Sequence, residues 1–151
     1  MADKTKFIEE LNAKYQPKGE YIVLGKGMLD GEVITEVDVN IPLKTINRHG
    51  LIAGATGTGK TKTLQVFVEQ LSHKGIPTLV MDIKGDLSGI AVEGEQNDKI
   101  NERYAKTKLP YQPQSFPVEL MTISAENGLK LRATVTEFGP VLLSKILGLN
   151  D

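Results

Sequence analysis

The chain has 151 residues, about the length of one compact domain. Hydrophobic residues make up 40% and charged residues 25%, as in ordinary globular proteins, whereas disordered chains are poorer in apolar residues. The 18 Lys and Arg residues are balanced by 19 Asp and Glu residues, which leaves a formal net charge of -1. A chain with this balance has no overall positive charge to attract nucleic acid or an anionic membrane. Any such binding would therefore have to use a local group of basic residues.

Cysteine is absent, and the two histidines are His49 and His73. These counts exclude a disulfide framework, a thiolate metal site and a cysteine nucleophile, and they argue against zinc. The first twenty residues lack the apolar segment of a signal peptide, and no stretch approaches the roughly 18–20 apolar residues of a membrane span. The sequence therefore predicts a cytoplasmic protein that does not enter a membrane.

The first part of the chain predicts a helix followed by two strands. Apolar residues at helical spacing indicate an amphipathic helix over residues 5–15. Two β-rich runs follow at 21–24 and 33–41, and the glycine-rich stretch between them predicts a loop over 25–31. We therefore expect residues 1–46 to form an N-terminal helix and a small β-lobe.

The pattern changes at residue 50. Residues 50–54 and 78–81 are short apolar runs without alternation, as expected of strands buried on both faces of a parallel sheet. Between them, apolar residues recur at helical spacing over residues 60–74, and a Gly-Ile-Pro sequence follows as a helix stop. The sequence thus predicts a βαβ unit, which begins an α/β domain assigned to residues 47–151.

The remainder of the chain is less regular. A polar stretch predicts an irregular helix over residues 93–108, and the proline-rich stretch 109–117 predicts an extended excursion over the surface. Alternating residues predict half-buried strands at 118–123 and 129–135. An apolar run after Gly-Pro predicts a helix over residues 141–147.

Residues 54–61 read GATGTGKT and satisfy the pattern G-x-x-x-x-G-K-[ST] of a phosphate-binding loop, placed between the predicted strand and helix. Glycines let backbone N–H groups approach a triphosphate closely, and the helix N-terminus adds further N–H groups and its dipole. The alternative is a glycine-rich turn with an incidental lysine. The residues predicted to bind ATP are Gly54, Ala55, Thr56, Gly57, Thr58, Gly59, Lys60, Thr61 and Lys62.

Two of these residues are predicted to serve the chemistry as well. We expect Lys60 to reach the oxygens of the β- and γ-phosphates. The Thr61 hydroxyl is expected to ligate Mg²⁺, because this ion prefers oxygen ligands and usually bridges two phosphates. ATP and Mg²⁺ are therefore the predicted cofactors.

A second polar cluster, DIKGDLSG at residues 82–89, follows the second apolar run. Loops at the carboxyl ends of parallel strands face the ligand crevice, so Asp82 and Lys84 are expected on the nucleotide side. Asp82 either binds Mg²⁺, directly or through water, or accepts hydrogen bonds from the backbone of its turn, as does Asp86. Lys84 fits a local charge partner better than a catalytic group.

Tyr104, Tyr111 and Phe116 alternate with basic residues in the polar excursion. Such a pattern occurs in platforms that stack single-stranded nucleic acid. Acidic residues nearby dilute the positive charge, and aromatic residues beside prolines usually fasten an extended loop to its domain. We therefore favour the fastening interpretation.

Three stretches resemble a known family: NRHGLIAGATGTGKT at 47–61, MDIKGDL at 81–87, and LRATVTEFGP at 131–140 together with the chain end through Asp151. They resemble the HerA/FtsK superfamily of P-loop ATPases, in particular the bacterial YjgR-type HerA-like proteins. The resemblance implies a RecA-like α/β core, a partial parallel sheet with flanking helices. It also implies ring-shaped homo-oligomers and ATP-driven movement of DNA by the full-length protein.

The resemblance also implies that Asp82 is not the Walker B residue, because the family's Asp-Glu pair should lie further along the chain. No such pair follows here, and no arginine finger is identifiable among Arg48, Arg103 and Arg132. We therefore predict an N-terminal fragment that binds ATP or ADP but hydrolyses ATP slowly or not at all. The alternatives are a P-loop small-molecule kinase or nucleotide switch with Asp82 as its Mg²⁺ ligand, and a non-catalytic interaction domain.

Overall fold

The computed structural model describes residues 3–149, and these divide between Phe116 and Pro117 into two units. Residues 1, 2, 150 and 151, which the two predicted domains and the family resemblance include, lie outside the described residues. The first unit contains three helices and a two-stranded antiparallel sheet. The second unit contains two very short strands and one helix.

The first unit begins with helix α1, Lys4–Tyr15. The Asp3 carboxylate caps the helix by accepting from the N–H groups of Thr5, at 3.0 Å, and Lys6, at 3.3 Å. The helix contacts the sheet that follows it. The helix predicted over residues 5–15 is confirmed.

Strands β1, Tyr21–Leu29, and β2, Glu32–Pro42, form an antiparallel hairpin. Both predicted strands are confirmed, but the loop predicted over residues 25–31 is wrong, since β1 continues to Leu29 and leaves a two-residue turn.

Irregular pairing explains how the glycines of β1 fit into a strand. The register shifts between Val23 and Gly25, and again between Lys26 and Gly27. Lys26 pairs with Asp38 while Gly27 pairs with Ile34, so the β2 residues between them bulge. The Val37 side chain there covers Gly27, where a Cβ atom would lie 3.0 Å from Val37 Cγ1. The glycine is thus required by close approach rather than by a loop.

Helix α2, Lys60–His73, packs against β1. Its buried apolar residues are Val68 and Leu71, one turn apart on the helix. The buried apolar residues of the hairpin are Ile22, Ile34 and Val37. Together these side chains form the core of the first unit. The helix predicted over residues 60–74 is confirmed.

Helix α3, Asp98–Thr107, begins after Asn97, whose side chain accepts from the N–H of Ile100 at 3.0 Å. It lies within the predicted irregular helix and contacts β2. The residues that follow, 109–116, have no regular secondary structure, as predicted for the proline-rich stretch. Short 3₁₀ turns occur at Leu43–Thr45 and Ser88–Ala91.

The predicted parallel sheet is not formed by the described residues. Neither the run 50–54 nor the run 78–81 is a strand, and their side chains are largely exposed: Leu51 by 89%, Leu79 by 78% and Met81 by 85%. A run of this composition becomes a central strand only when neighbouring strands hydrogen-bond to it and cover its faces. No described strand lies beside either run, so both remain unpaired. What the structure supports is a mixed α/β fold with small sheets.

In the second unit, β3, Met121–Thr122, pairs in parallel with β4, Leu129–Lys130. The strands predicted at 118–123 and 129–135 are therefore mostly wrong, since only two residues of each are paired. Helix α4, Val135–Leu147, starts six residues before the predicted helix.

A capping box explains why α4 starts early. The Thr134 hydroxyl accepts from the Glu137 N–H, and the Glu137 carboxylate accepts from the Thr134 N–H at 2.6 Å. The backbone hydrogen bond from Thr134 is the main reason that the pKa of Glu137 lies below its usual value. The helix kinks at Gly139 before Pro140.

Within residues 3–149, no helix is both long and apolar enough to span a lipid bilayer.

The core of the first unit generates a stability prediction. Ile22 is fully buried, whereas Ile83 is 98% exposed. We expect Ile22→Ala to lower the free energy of unfolding by about 2–5 kcal/mol, because the substitution leaves a cavity. The matched control Ile83→Ala should change it by less than about 0.5 kcal/mol. Urea unfolding followed by circular dichroism measures both, and equal midpoints would contradict this assignment of the core.

Candidate functional site

The loop that carries the predicted phosphate motif, residues 54–61, is closed on itself by hydrogen bonds to one carbonyl group. The Ala55 oxygen accepts from the Thr58 hydroxyl at 2.8 Å and from the Lys60 Nζ at 2.8 Å. Gly57 and Gly59 have φ angles of 82° and 97°, which favour glycine at both positions. The sequence pattern therefore corresponds to a tight turn with its lysine folded back over it.

The first residue of the motif fits against the same turn. A Cβ atom at Gly54 would lie 2.5 Å from the Thr58 Oγ1. Any larger residue would displace the threonine that helps to close the loop. All of residues 54–59, Thr56 included, are exposed, while Lys60 and Thr61 are half-buried.

The loop leads into the N-terminus of α2, whose first N–H groups have no acceptor in the described part of the chain. The N-cap residue Gly59 has no side chain to accept from them, and among residues 3–149 no acceptor is found for the N–H groups of Lys60, Thr61 and Lys62. By contrast, the Thr63 N–H donates to the Gly59 oxygen at 2.9 Å. Three donors at the positive end of a helix dipole form an anion-binding feature.

The carboxylate of Asp82 accepts hydrogen bonds from the backbone of its own turn. Its Oδ1 accepts from the N–H groups of Gly85 at 2.8 Å and Asp86 at 3.3 Å. Its Oδ2 accepts from Leu87 at 2.9 Å and Ser88 at 3.3 Å. These bonds, that from Leu87 foremost, lower the pKa of Asp82. The structure thus shows the turn-stabilising contacts, while Asp82 as a Mg²⁺ ligand stays a prediction.

The acidic residue that contacts the motif is Asp86. The Thr61 hydroxyl donates to the Asp86 Oδ2 at 3.3 Å. One helical turn further along α2, the buried Gln65 donates from Nε2 to the Asp86 backbone oxygen at 2.9 Å. The turn at 82–88 is therefore joined to the start of α2 by two hydrogen bonds.

Sequence reasoning misses this arrangement. It predicts Asp86 only as a residue that stabilises its own turn, and it does not single out Gln65. A signal for Gln65 exists, because it is a polar residue four positions after Thr61 and therefore shares its helix face, beside the apolar stripe. No local pattern identifies Asp86 as its partner, since the contact spans 21 residues.

The donor atoms near the motif suit Mg²⁺ better than a transition metal. No group of three or more His, Asp or Glu side chains able to hold a metal ion occurs in the described part of the chain. Mg²⁺ bound with a nucleotide needs only one or two protein oxygens, because phosphates and water supply the other ligands. The hydroxyl of Thr61 and the adjacent Asp86 carboxylate are groups of this kind.

The aromatic residues of the excursion fasten it to the first unit, as the favoured interpretation predicted. Tyr111 stacks on Tyr104 of α3, with ring centroids 4.4 Å apart and an interplanar angle of 21°. Phe116 meets His73 edge to face at 5.1 Å, and its N–H donates to the Ile90 oxygen at 3.1 Å. Their rings are thus used in packing within the protein.

Comparison with known proteins places the chain in a family. The family model described as helicase HerA-like C-terminal matches residues 28–151. The chain belongs to the helicase HerA-like family. This is a family of HerA-type helicases and ATPases, which confirms the resemblance at the family level. The bacterial YjgR-type subgroup stays a prediction.

Two curated relatives match part of the chain. A probable helicase of Methanocaldococcus jannaschii is 35% identical over 78 residues, 49% of this chain and 15% of the relative. The DNA double-strand break repair helicase HerA of Saccharolobus solfataricus is 32% identical over 78 residues, 52% of this chain and 14% of the relative. The matched region thus covers about one seventh of each of these two relatives. No solved structure matches the chain.

The lowered pKa of Asp82 predicts how the turn responds to acid. A carboxylate with a lowered pKa stabilises the turn above the ordinary Asp range, and this contribution is lost as the pH falls through the lowered value. We expect the NMR amide shifts of Gly85 and Leu87 to titrate with a midpoint below that of an unstructured aspartate. Asp82→Asn should abolish this titration. A midpoint at the ordinary Asp value would show that the turn does not hold the carboxylate.

Proposed function

We propose that this chain is the ATP-binding part of a HerA-like P-loop ATPase, which in the full-length protein works as a DNA translocase or helicase-type motor. The observation that carries the proposal is the set of N–H groups at the start of α2, directly after the glycine-rich turn, for which residues 3–149 supply no acceptor. Phosphate oxygens satisfy such groups and interact favourably with the helix dipole. Membership in a helicase family supports the same ligand.

Lys60 provides the cationic group for the phosphates. Its ammonium group donates to the neutral Ala55 carbonyl oxygen at 2.8 Å. The Ala55 carbonyl oxygen carries only a partial negative charge, whereas a β- or γ-phosphate oxygen carries a formal one, so the phosphate is the better acceptor for the ammonium group. We therefore expect ATP to draw Lys60 away from Ala55 and to open the self-bonded turn.

Bound Mg²⁺ would neutralise charge on the β- and γ-phosphates and hold them in a fixed geometry. Thr61, a half-buried residue in the first turn of α2, is the protein residue proposed to hold it, through its hydroxyl. A kinase or switch with Asp82 as the Mg²⁺ ligand is less favoured, because Asp82 would have to give up hydrogen bonds to four backbone N–H groups.

The proposed function includes the fold expected of a P-loop ATPase. We propose that the runs 50–54 and 78–81 become strands of a RecA/HerA-like parallel sheet when further strands flank them. Their exposed apolar side chains support this, because an unpaired run of this composition gains burial on both faces in a sheet. The domain division into 1–46 and 47–151, cytoplasmic location and a ring-shaped homo-oligomer belong to the same proposal.

Lys60→Ala tests nucleotide binding directly. We expect saturating Mg·ATP to raise the unfolding temperature of the unmodified chain, since a ligand at 100 times its dissociation constant stabilises by about 2.7 kcal/mol. Lys60→Ala should lose this shift, because the phosphates lose their cation. The control Lys74→Ala removes an exposed lysine at the opposite end of α2 and should keep it. An equal shift in all three proteins would exclude the motif as the ATP site.

A second experiment compares the ATPase activity of this chain with that of the full-length protein. We expect the 151-residue chain to hydrolyse ATP slowly or not at all, with no response to double-stranded DNA, because no Asp-Glu pair follows the phosphate motif in this sequence. The full-length protein should show DNA-stimulated ATPase activity. Brisk turnover by the shorter chain would show that Asp82 or another of its residues supplies the missing chemistry.

A further inference from the structure

We infer that Asp86 is a positioning residue of the proposed magnesium site. Its carboxylate accepts a hydrogen bond from the Thr61 hydroxyl, and this bond orients the hydroxyl oxygen toward the metal ion of bound ATP. The inference rests on the proposed function, since it concerns the same nucleotide site. The contact that carries it is the hydrogen bond of 3.3 Å from Thr61 Oγ1 to Asp86 Oδ2. This role belongs to a residue outside the phosphate motif.

The hydrogen-bonding capacity of a hydroxyl explains the need for such a residue. A threonine hydroxyl has one proton to donate and two lone pairs. A metal ion requires a lone pair, so the proton has to point elsewhere. When the hydroxyl donates its hydrogen bond to the Asp86 carboxylate, both lone pairs of the Thr61 oxygen remain available to Mg²⁺. The negative charge of the acceptor also strengthens the bond.

The hydroxyl of Thr63, two residues further along α2, binds a different kind of acceptor. Thr63 lies in the same first turns of α2, and its hydroxyl donates to the Gly59 backbone oxygen at 3.1 Å. This backward bond to the carbonyl four residues earlier is the usual choice of a threonine in a helix. Thr61 makes no such bond among the described residues, and its hydroxyl turns to Asp86 instead. For Thr61 the residue four positions earlier is Gly57, which precedes the helix, and the Asp86 carboxylate is the acceptor that its hydroxyl binds.

The position of Asp86 is fixed by groups on both sides of it. Gln65, buried on α2, donates to the Asp86 backbone oxygen at 2.9 Å. The Asp82 carboxylate accepts from the Asp86 N–H and from its neighbours. Because the backbone N–H and carbonyl groups of Asp86 are both hydrogen-bonded, its side chain has less freedom to move relative to Thr61. Asp82 therefore supports the magnesium site indirectly, through the turn it holds.

The test measures the magnesium preference, which we define as the ATP affinity in excess Mg²⁺ divided by the affinity in EDTA. Calorimetry on the 151-residue chain gives both values. We expect Asp86→Ala to lower the preference about tenfold, the effect of losing one hydrogen bond to a charged group. Its affinity in EDTA should stay within about twofold of the unmodified value, because the phosphate contacts remain.

Two further variants separate the role of Asp86 from a general effect on the loop. Asp86→Asn keeps the shape and an oxygen acceptor, so its preference should fall between those of Asp86→Ala and the unmodified chain. If Asp86→Ala fails to unfold cooperatively, this variant takes its place. The charge control Glu95→Ala removes an exposed acidic residue of the same unit and should leave the preference unchanged.

A double-substitution cycle tests whether Asp86 acts through Thr61. Thr61→Val removes the hydroxyl at nearly constant shape and should lower the preference by itself. Adding Asp86→Ala should then lower it no further, because the two residues act through one hydrogen bond. An additional loss of similar size would show that Asp86 acts on the metal independently and would overturn the positioning role.

The outcomes also distinguish this inference from the proposed function. If the unmodified chain binds no ATP in either buffer, the proposed function fails. If it binds with a clear magnesium preference that Asp86→Ala retains in full, the nucleotide site stands and the inference about Asp86 is wrong.

Discussion

The packing of α2 on the β1–β2 hairpin is the constraint on which the rest of the first unit depends. Val68 and Leu71 are buried on the helix, and Ile22 and Val37 are buried on the hairpin. This small apolar core holds the second half of α2, while the first three residues of the helix are half-buried or exposed. Burial of a few side chains therefore supports the proposed phosphate-binding loop, whose residues 54–59 are exposed.

Polar contacts continue along α2 where the apolar core stops. Gln65 and Thr61 lie closer to the N-terminus of the helix than the buried apolar residues, and both bind the turn that Asp82 organises. The same helix is thus held by apolar packing at one end and by hydrogen bonds at the other. A ligand that engages the first turn of α2 would act directly on the hydrogen-bonded end. We therefore regard the 82–88 turn as part of the candidate nucleotide site.

Local signals predicted the parts of the fold that depend on local interactions. The apolar periodicity of α1 and α2 and the glycine-rich motif lie within single segments, and the structure places the helices where the sequence does. The runs 50–54 and 78–81 were wrong as strands because pairing depends on neighbours that the described residues do not supply. The Thr61–Asp86 contact escaped prediction because it joins residues 25 positions apart.

The irregular hairpin has a consequence for how sequences of this family should vary in length. Side chains alternate between the faces of a strand, so one inserted or deleted residue exchanges the buried set for the exposed set beyond that point. The consecutive residues Lys26 and Gly27 pair with Asp38 and Ile34 of β2, and the bulge places Val37 over the glycine. We therefore expect alignment gaps among relatives to fall in the two-residue turn rather than within either strand.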